Sequence, residues 1–222
     1  MIITIDGPAG AGKSSVAKGL ARRLGFRFLN TGAMYRAVAL AGLRAGLDWD
    51  APEDLARLAR KLDLDIVGDR ILLNGDDVSE AVRTTEATAV TRYAADNPEV
   101  REHLVKLQRK LAASGDTVTE GRDQGTVAFP QAECKIFLTA SPVERARRRW
   151  RDLEAKGEPV TLDQVLAAQE QRDRRDAART VGPLRPAANA IEVCTDGLDV
   201  EQVVDRLEQL VRGTHVGKTA KS

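Results

Sequence analysis

Ile2-Ile3-Thr4-Ile5-Asp6-Gly7-Pro8-Ala9-Gly10-Ala11-Gly12-Lys13-Ser14-Ser15-Val16 is the stretch on which the fold turns. Ile2 to Ile5 is a β-branched run ended by Asp6-Gly7, and Val16, Leu20 and Leu24 then recur at helical spacing until Gly25. The spacing predicts strand, loop and helix in that order. Gly7 to Ser14 fits the pattern Gly-x-x-x-x-Gly-Lys-Ser/Thr in the context that pattern requires. Glycines let backbone wrap closely around phosphates, successive N–H groups point inward, and the following helix presents its positive end to an anion. Gly7, Pro8, Ala9, Gly10, Ala11, Gly12, Lys13, Ser14 and Ser15 are therefore the predicted nucleotide cradle. Lys13 is expected to reach the β- and γ-phosphates of ATP, and Ser14 to meet Mg²⁺ directly or through water.

Such a loop does not by itself separate kinases from GTPases and ATP-driven motors. A GTP switch would show a DxxG segment and an NKxD-type base-reading loop, and neither is evident. No long apolar strand ending in paired acids marks a motor.

Outward from the loop, Phe26 to Leu29 reads as a second strand and Ala33 to Ala45 as a helix ended by Gly46, the alternation of a parallel sheet with crossover helices. Leu55, Leu58 and Leu62 mark a further helix. Leu64–Val67, Gly68-Asp69, Arg70–Leu73 and Asn74-Gly75 then read as a hairpin, which has the look of an insertion. Helical periodicity returns near Glu86 and again after Pro98, where Val100, Leu104, Leu107 and Leu111 share a face before Ser114-Gly115. Thr117–Glu120 and Lys135–Thr139 resume the strands, the second leading to Ser141-Pro142, which suits a helix cap and first turn. Ala190–Cys194 is a candidate last strand, and Val200, Val203, Val204, Leu207, Leu210 and Val211 mark a closing amphipathic helix. Gly213 to Ser222 reads as a frayed tail.

The 222 residues suffice for one large α/β domain with insertions. With 34 basic against 33 acidic residues there is no net field to hold duplex DNA, and 4% aromatic content offers no stacking set for RNA. Any anion binding is therefore local. Cys134 and Cys194 lack metal-ligand or disulfide spacing and read as small buried hydrophobes in a reducing compartment. The apolar start is too short for a signal peptide and no stretch approaches a membrane span, so the expectation is a cytoplasmic protein, with a monomer as default.

Transfer between two phosphates needs positioning and cationic clamps more than a general base. Arginine suits this, since its planar fork binds phosphate oxygens in pairs. Candidates are Arg36, Arg122, Arg145, Arg148, Arg149, Arg172 and Arg179. Arg122 has the best purely physical case, because ligands of open α/β sheets collect beyond the carboxyl ends of strands. The run from Arg145 to Arg151 reads equally well as a solvated helix face, and Asp123 and Asp176 as caps or surface acids.

Taken together and in this order, GPAGAGKSS (Gly7–Ser15), NTGAMYR (Asn30–Arg36), EGRDQGTVAFP (Glu120–Pro130), KIFLTAS (Lys135–Ser141) and RDRRDAARTVGPL (Arg172–Leu184) closely resemble bacterial cytidylate kinases, from Ile2 to about Arg212. The resemblance implies an α/β P-loop kinase core with a central parallel five-stranded sheet and helices on both faces. It implies an enlarged NMP-binding insert over about 33–114, a short lid over about 148–160, and core segments 1–32, 115–147 and 161–212. It further implies that Thr31, Arg101 and Asp123 face the cytosine, Arg172 and Asp176 the ribose, and Arg36, Arg122 and Arg179 the acceptor phosphate. Arg145 and Arg149 would close over the transferring group beside Lys13, with Arg148 a further lid residue. The implied reaction moves the γ-phosphate of ATP, with Mg²⁺, onto CMP or dCMP. Asp123 can accept a hydrogen bond from the exocyclic amine of cytosine, which disfavours UMP.

Three residues depart from the family pattern: Asn30 where an acid is usual, Arg92 where a small hydroxyl residue that helps hold the ribose is common, and Gln124 where an apolar or acidic residue is more frequent. The alternatives are a P-loop kinase for UMP, AMP or an alcohol such as shikimate or gluconate, and a regulator that binds ATP without transferring its phosphate.

Overall fold

A computed structural model describes residues 1–155 and 157–219, with side chains described up to residue 213. In chain order the elements are β1 (Ile2–Asp6), α1 (Lys13–Leu24), β2 (Arg27–Asn30), α2 (Thr31–Arg44) and α3 (Pro52–Ala59). There follow β3 (Leu64–Val67), β4 (Arg70–Leu73), β5 (Asp76–Asp77), α4 (Thr85–Asp96), α5 (Pro98–Ala112) and β6 (Thr117–Gly121). The chain closes with β7 (Cys134–Thr139), α6 (Pro142–Glu154), α7 (Leu162–Ala178), β8 (Ile191–Cys194) and α8 (Val200–Thr219). A central five-stranded parallel sheet, ordered β2-β6-β1-β7-β8, carries helices on both faces. The chain divides into two units, Met1–Phe26 with Asp116–Ser222, and Arg27–Gly115.

In the first unit β1 lies between two parallel neighbours, Ile2 to Asp6 registering with Thr117 to Gly121 of β6 and Ile3 to Asp6 with Cys134 to Phe137 of β7. Covered on both faces, β1 and β6 are buried nearly throughout, which is why they read as continuous runs rather than alternating ones. Their carboxyl ends lead to the glycine-rich loop and to Arg122, the side on which open α/β sheets bind ligands. Gly25, at φ 69°, ends α1 as the sequence predicts. Gly19 lets α1 approach α8 closely, since a Cβ there would stand 2.9 Å from Val204 Cγ2. Arg23 adds ion pairs to Glu201, Asp205 and Glu208 of α8.

One expectation for this unit is corrected. Cys134 is buried, but Cys194 is exposed, because it lies on β8 at the sheet edge, where Val193 is the residue turned into the core. The backbone of α8 runs through Gly213 to Thr219, over much of the segment expected as a tail. Glycine inside a helix costs about 1 kcal/mol but ends it only by adopting a left-handed conformation, and Gly213 has no positive φ. The last part of the expected tail, 220–222, lies outside the described residues.

In the second unit Asn30 caps α2, its side chain accepting from Ala33 N at 2.9 Å, so the helix starts at Thr31, two residues before the expected start. β3 and β4 form the expected antiparallel hairpin. A second turn, with Asn74 at φ 53° and Gly75 at φ 87°, adds the short strand β5 that the hydrophobic pattern does not announce. Leu62 falls beyond α3, which closes at Ala59. Asn97 caps α5 and ties it to α3 through Pro52 O at 2.8 Å, while Trp49 stacks on Tyr93 at 4.9 Å.

Candidate active site

The loop after β1 is shaped by three glycines at positive φ: Gly7 at 148°, Gly10 at 79° and Gly12 at 84°. Position 7 admits no side chain, because a Cβ would fall 2.0 Å from Leu138 O. Gly12 is the N-cap of α1 and supplies no capping side chain, so the first amides of the helix are left for an external acceptor. Lys13 is buried, only 6% exposed, and donates from Nζ to Pro8 O at 2.6 Å. An ammonium has three donors, so this bond fixes its direction and leaves two for phosphate oxygens. Burial, with the positive charges of Arg122 and Arg172 beside it, pushes the Lys13 ammonium down to about 7, against a smaller opposing pull from Glu120.

Ser14 donates from Oγ to Glu120 Oε1 at 2.8 Å. Glu120 is a site residue that the sequence reading does not single out. The available signal is a lone acid at the carboxyl end of β6, adjacent in the sheet to the strand that leads into the loop. A hydroxyl and one carboxylate are the hard oxygen donors that suit Mg²⁺, which prefers one or two carboxylates supplemented by phosphate and water.

Three arginines gather around one acid. Asp176 on α7, 2% exposed, accepts from Arg122 Nε at 2.9 Å through Oδ2 and from Arg179 Nη2 at 2.6 Å through Oδ1. Burial would raise its carboxyl, but Arg122, Arg179 and Arg172 together hold it below the ordinary carboxylate range. Asp176 is thus neither a surface acid nor a cap. It holds two guanidinium groups, one on each carboxylate oxygen, and so sets their direction.

Arg145 and Arg149, both on α6, separate. Arg145 is buried and donates to Ala9 O in the loop at 2.9 Å, Ala140 O at 3.0 Å and Asp173 Oδ2 at 2.6 Å. Arg149 is exposed. Arg148 bonds Glu144, Thr195 Oγ1 and Thr195 O, tying α6 to the segment after β8. The α6–α7 connection, the expected lid, is closed by Ala146, Leu153 and Val165 with Trp150, Val160, Leu162 and Leu166 packed against them, and Trp150 Nε1 donates to Val160 O at 3.1 Å. Lys156 of that segment lies outside the described residues.

After β6 the chain passes through Arg122 and Asp123 into a π-helical turn, Gln124–Ala128. Asp123 is buried. Gln124 is held by side chain and backbone: its Oε1 accepts from Thr119 Oγ1 at 2.9 Å, and its N–H donates to Asp6 Oδ1 at 2.8 Å. In the second unit, Thr31 and Arg101 are buried, and Arg101 lies over the Tyr35 ring at 5.4 Å and donates to Ala95 O at 3.1 Å. Arg36 is half-buried on α2, its guanidinium near Gly32, where a Cβ would stand 3.4 Å from Nη1. Arg92 is exposed and lies on Tyr93, 4.7 Å from the ring centre.

A phosphate loop paired with an arginine cluster is the chemistry of phosphoryl transfer, and comparison with known proteins narrows it. The family model described as cytidylate kinase matches residues 3–213. The chain belongs to the cytidylate kinase family. A cytidylate kinase of Rhodopirellula baltica is 53% identical over 212 residues, covering 96% of this chain and 93% of the relative. One of Geobacter sulfurreducens is 46% identical over 216 residues, with 96% and 93% covered. A solved structure of an uncharacterized protein from Eubacterium ventriosum superposes with a TM-score of 0.53 at 14% identity, covering 96% of this chain and 98% of that one, a likeness of fold alone. Among the described residues of this cytidylate kinase family member, no helix is long and apolar enough to cross a membrane.

Proposed function

We infer that this chain transfers the γ-phosphoryl group of ATP to CMP, giving ADP and CDP, and that dCMP serves as a second acceptor. The observation that carries the reading is the match to cytidylate kinases over residues 3–213, supported by a phosphate loop and an Asp176-held arginine pair within one unit. Lys13 neutralises charge on the β- and γ-phosphates, while loop amides of Gly7 to Ser15 cradle them. Ser14 and Glu120 would hold Mg²⁺, which when bound would supply further neutralisation of the phosphate charge.

Arg122 and Arg179 bind the acceptor phosphate, and Arg36 of the second unit is assigned to the same phosphate. Asp123, Thr31 and Arg101 are assigned to the cytosine, and Arg172 with Asp176 to the ribose. Both oxygens of Asp176 already accept from arginines, so a ribose hydroxyl would share the lone pairs that remain. That secondary contact is the reason loss of the 2′-hydroxyl is expected to be tolerated. A phosphate oxygen is already an anionic nucleophile, so attack on the γ-phosphorus is in line and needs no covalent enzyme intermediate. Arg145 positions the loop through Ala9 O and Arg149 closes over the transferring group, with segment 148–160 as the lid that excludes water.

The test is a panel of CMP, dCMP, UMP, AMP, shikimate and gluconate, scored by ADP release with MgATP. CMP and dCMP should turn over, UMP at least about tenfold less efficiently, since its carbonyl faces the Asp123 acceptor. Turnover of another acceptor with CMP inert, or ATP binding without acceptor-dependent turnover, overturns the reading.

A further inference from the structure

Asp6 is the last residue of β1 and is 4% exposed, a carboxylate that the phosphoryl-transfer chemistry itself does not require. Its two oxygens are both used. Oδ1 accepts from Gln124 N at 2.8 Å and Oδ2 from Gly125 N at 2.7 Å. These are the opening amides of the π-helical turn Gln124–Ala128, groups that a helix start leaves without intrahelical partners. No side chain within the turn caps it, so the cap comes from a different strand. Gly125 is what allows the approach. A Cβ there would stand 3.0 Å from Thr4 Oγ1, 3.2 Å from Lys135 Cδ and 3.4 Å from Asp6 Oδ2.

Arg122 and Asp123 immediately precede the clamped amides, so the position of the turn sets the direction of both. The donor side is anchored differently. Gly7 is seated against Leu138 O, and Ala9 O is held by Arg145. Asp6 is also an expensive group to keep ionised: burial, with Asp123 close by, pushes its carboxyl up to about 6, while the Gly125 and Gln124 amides and Lys13 pull the other way. An amide side chain at this place would avoid that cost. The carboxylate therefore contributes something other than stability, and its geometry says what.

We propose that Asp6 is a positioning residue for the acceptor side of the site, registering the Arg122–Asp123 segment against the phosphate loop by a two-oxygen clamp on the Gln124 and Gly125 amides. The inference rests on the CMP kinase reading above. In Asp6→Asn one oxygen still accepts, but an NH₂ group is turned against the other amide, donor against donor. The clamp opens on one side while the fold and the donor pocket remain.

The experiment is steady-state kinetics of wild type and D6N with ATP and CMP varied separately, together with acceptor-independent ATP hydrolysis and thermal melting. D6N should raise KM for CMP about tenfold and lower kcat, as expected for one buried hydrogen bond lost at about 1.4 kcal/mol per decade. KM for ATP should rise by clearly less than KM for CMP, since the donor side loses only the Asp6 charge near Lys13. Gly125→Ala, which pushes the turn away from the clamp without changing any charge, should reproduce the rise in KM for CMP. If D6N does not fold, the inference stands or falls on G125A. A D6N enzyme that binds CMP as wild type does, or one that weakens ATP and CMP equally, overturns the inference and leaves the CMP kinase reading intact. A wild-type protein inert toward CMP overturns that reading, and this inference with it.

Discussion

Lys13 and Asp6 are two buried charges whose ordinary protonation is displaced in opposite directions. Because burial brings Lys13 down to about 7, the free protein loses its charge above neutrality, and a bound polyphosphate must restore it by taking up a proton. The dissociation constant for ATP should therefore rise between pH 7 and pH 9, by up to about tenfold per pH unit, in a calorimetric titration. Lys13→Arg keeps its charge and should show a flat profile, the ionisation of ATP being common to both proteins. Lys13→Ala should abolish transfer without unfolding the chain, and undiminished turnover would sink the assigned role. For Asp6 the folded carboxyl titrates near 6 against 3.8 unfolded, so the folded state binds more protons between those values. Stability should fall as pH rises through that window, by about 2 kcal/mol in the difference between wild type and D6N, read from urea unfolding at pH 4 and pH 7. Taking the difference removes groups such as Asp176, whose depressed carboxyl acts with the opposite sign.

Caps and turns decided where elements begin, and they are also where sequence reading succeeded or failed. Gly25 ending α1 and Ser141-Pro142 opening α6 are local signals, carried by residues within one turn of the boundary they set. Asn30 carried the same kind of signal but reads in the family pattern as a missing acid, whereas in the structure it caps α2. Asn30→Ala should cost about 1 kcal/mol of stability and Asn30→Asp much less, measured by chemical denaturation. The pattern is silent about β5, two aspartates with no apolar alternation to mark them, and it runs Leu62 into a helix that the chain has already left. The phosphate loop was legible because every part of it lies within a dozen residues. The Arg122–Asp176–Arg179 cluster and the Asp6 clamp were not, since their members are brought together only by the sheet and by α7, from 54 and 118 residues apart along the chain.

At the scale of the molecule the fold class was legible from the alternation of strands and helices alone, while the strand order was not, because crossover lengths do not specify which neighbour a strand takes. The order puts β1 in the middle, with Ile3 and Ile5 fully buried, so its amides and those of β6 and β7 should be the last to exchange with deuterium. A ligand that binds only the folded chain adds to that protection by mass action. CMP at a hundred times its dissociation constant should stabilise the protein by about 2.7 kcal/mol, and shikimate at the same concentration should leave the melting temperature unchanged. The thiols offer a way to watch the molecule work. Cys134 is sealed in the sheet and Cys194 stands open at its edge, so a maleimide dye should attach at a single place without any engineering. That place adjoins Thr195, which Arg148 grips from α6, so a fluorophore there sits beside the start of the proposed lid, and if that segment closes its emission should change when ATP and CMP bind.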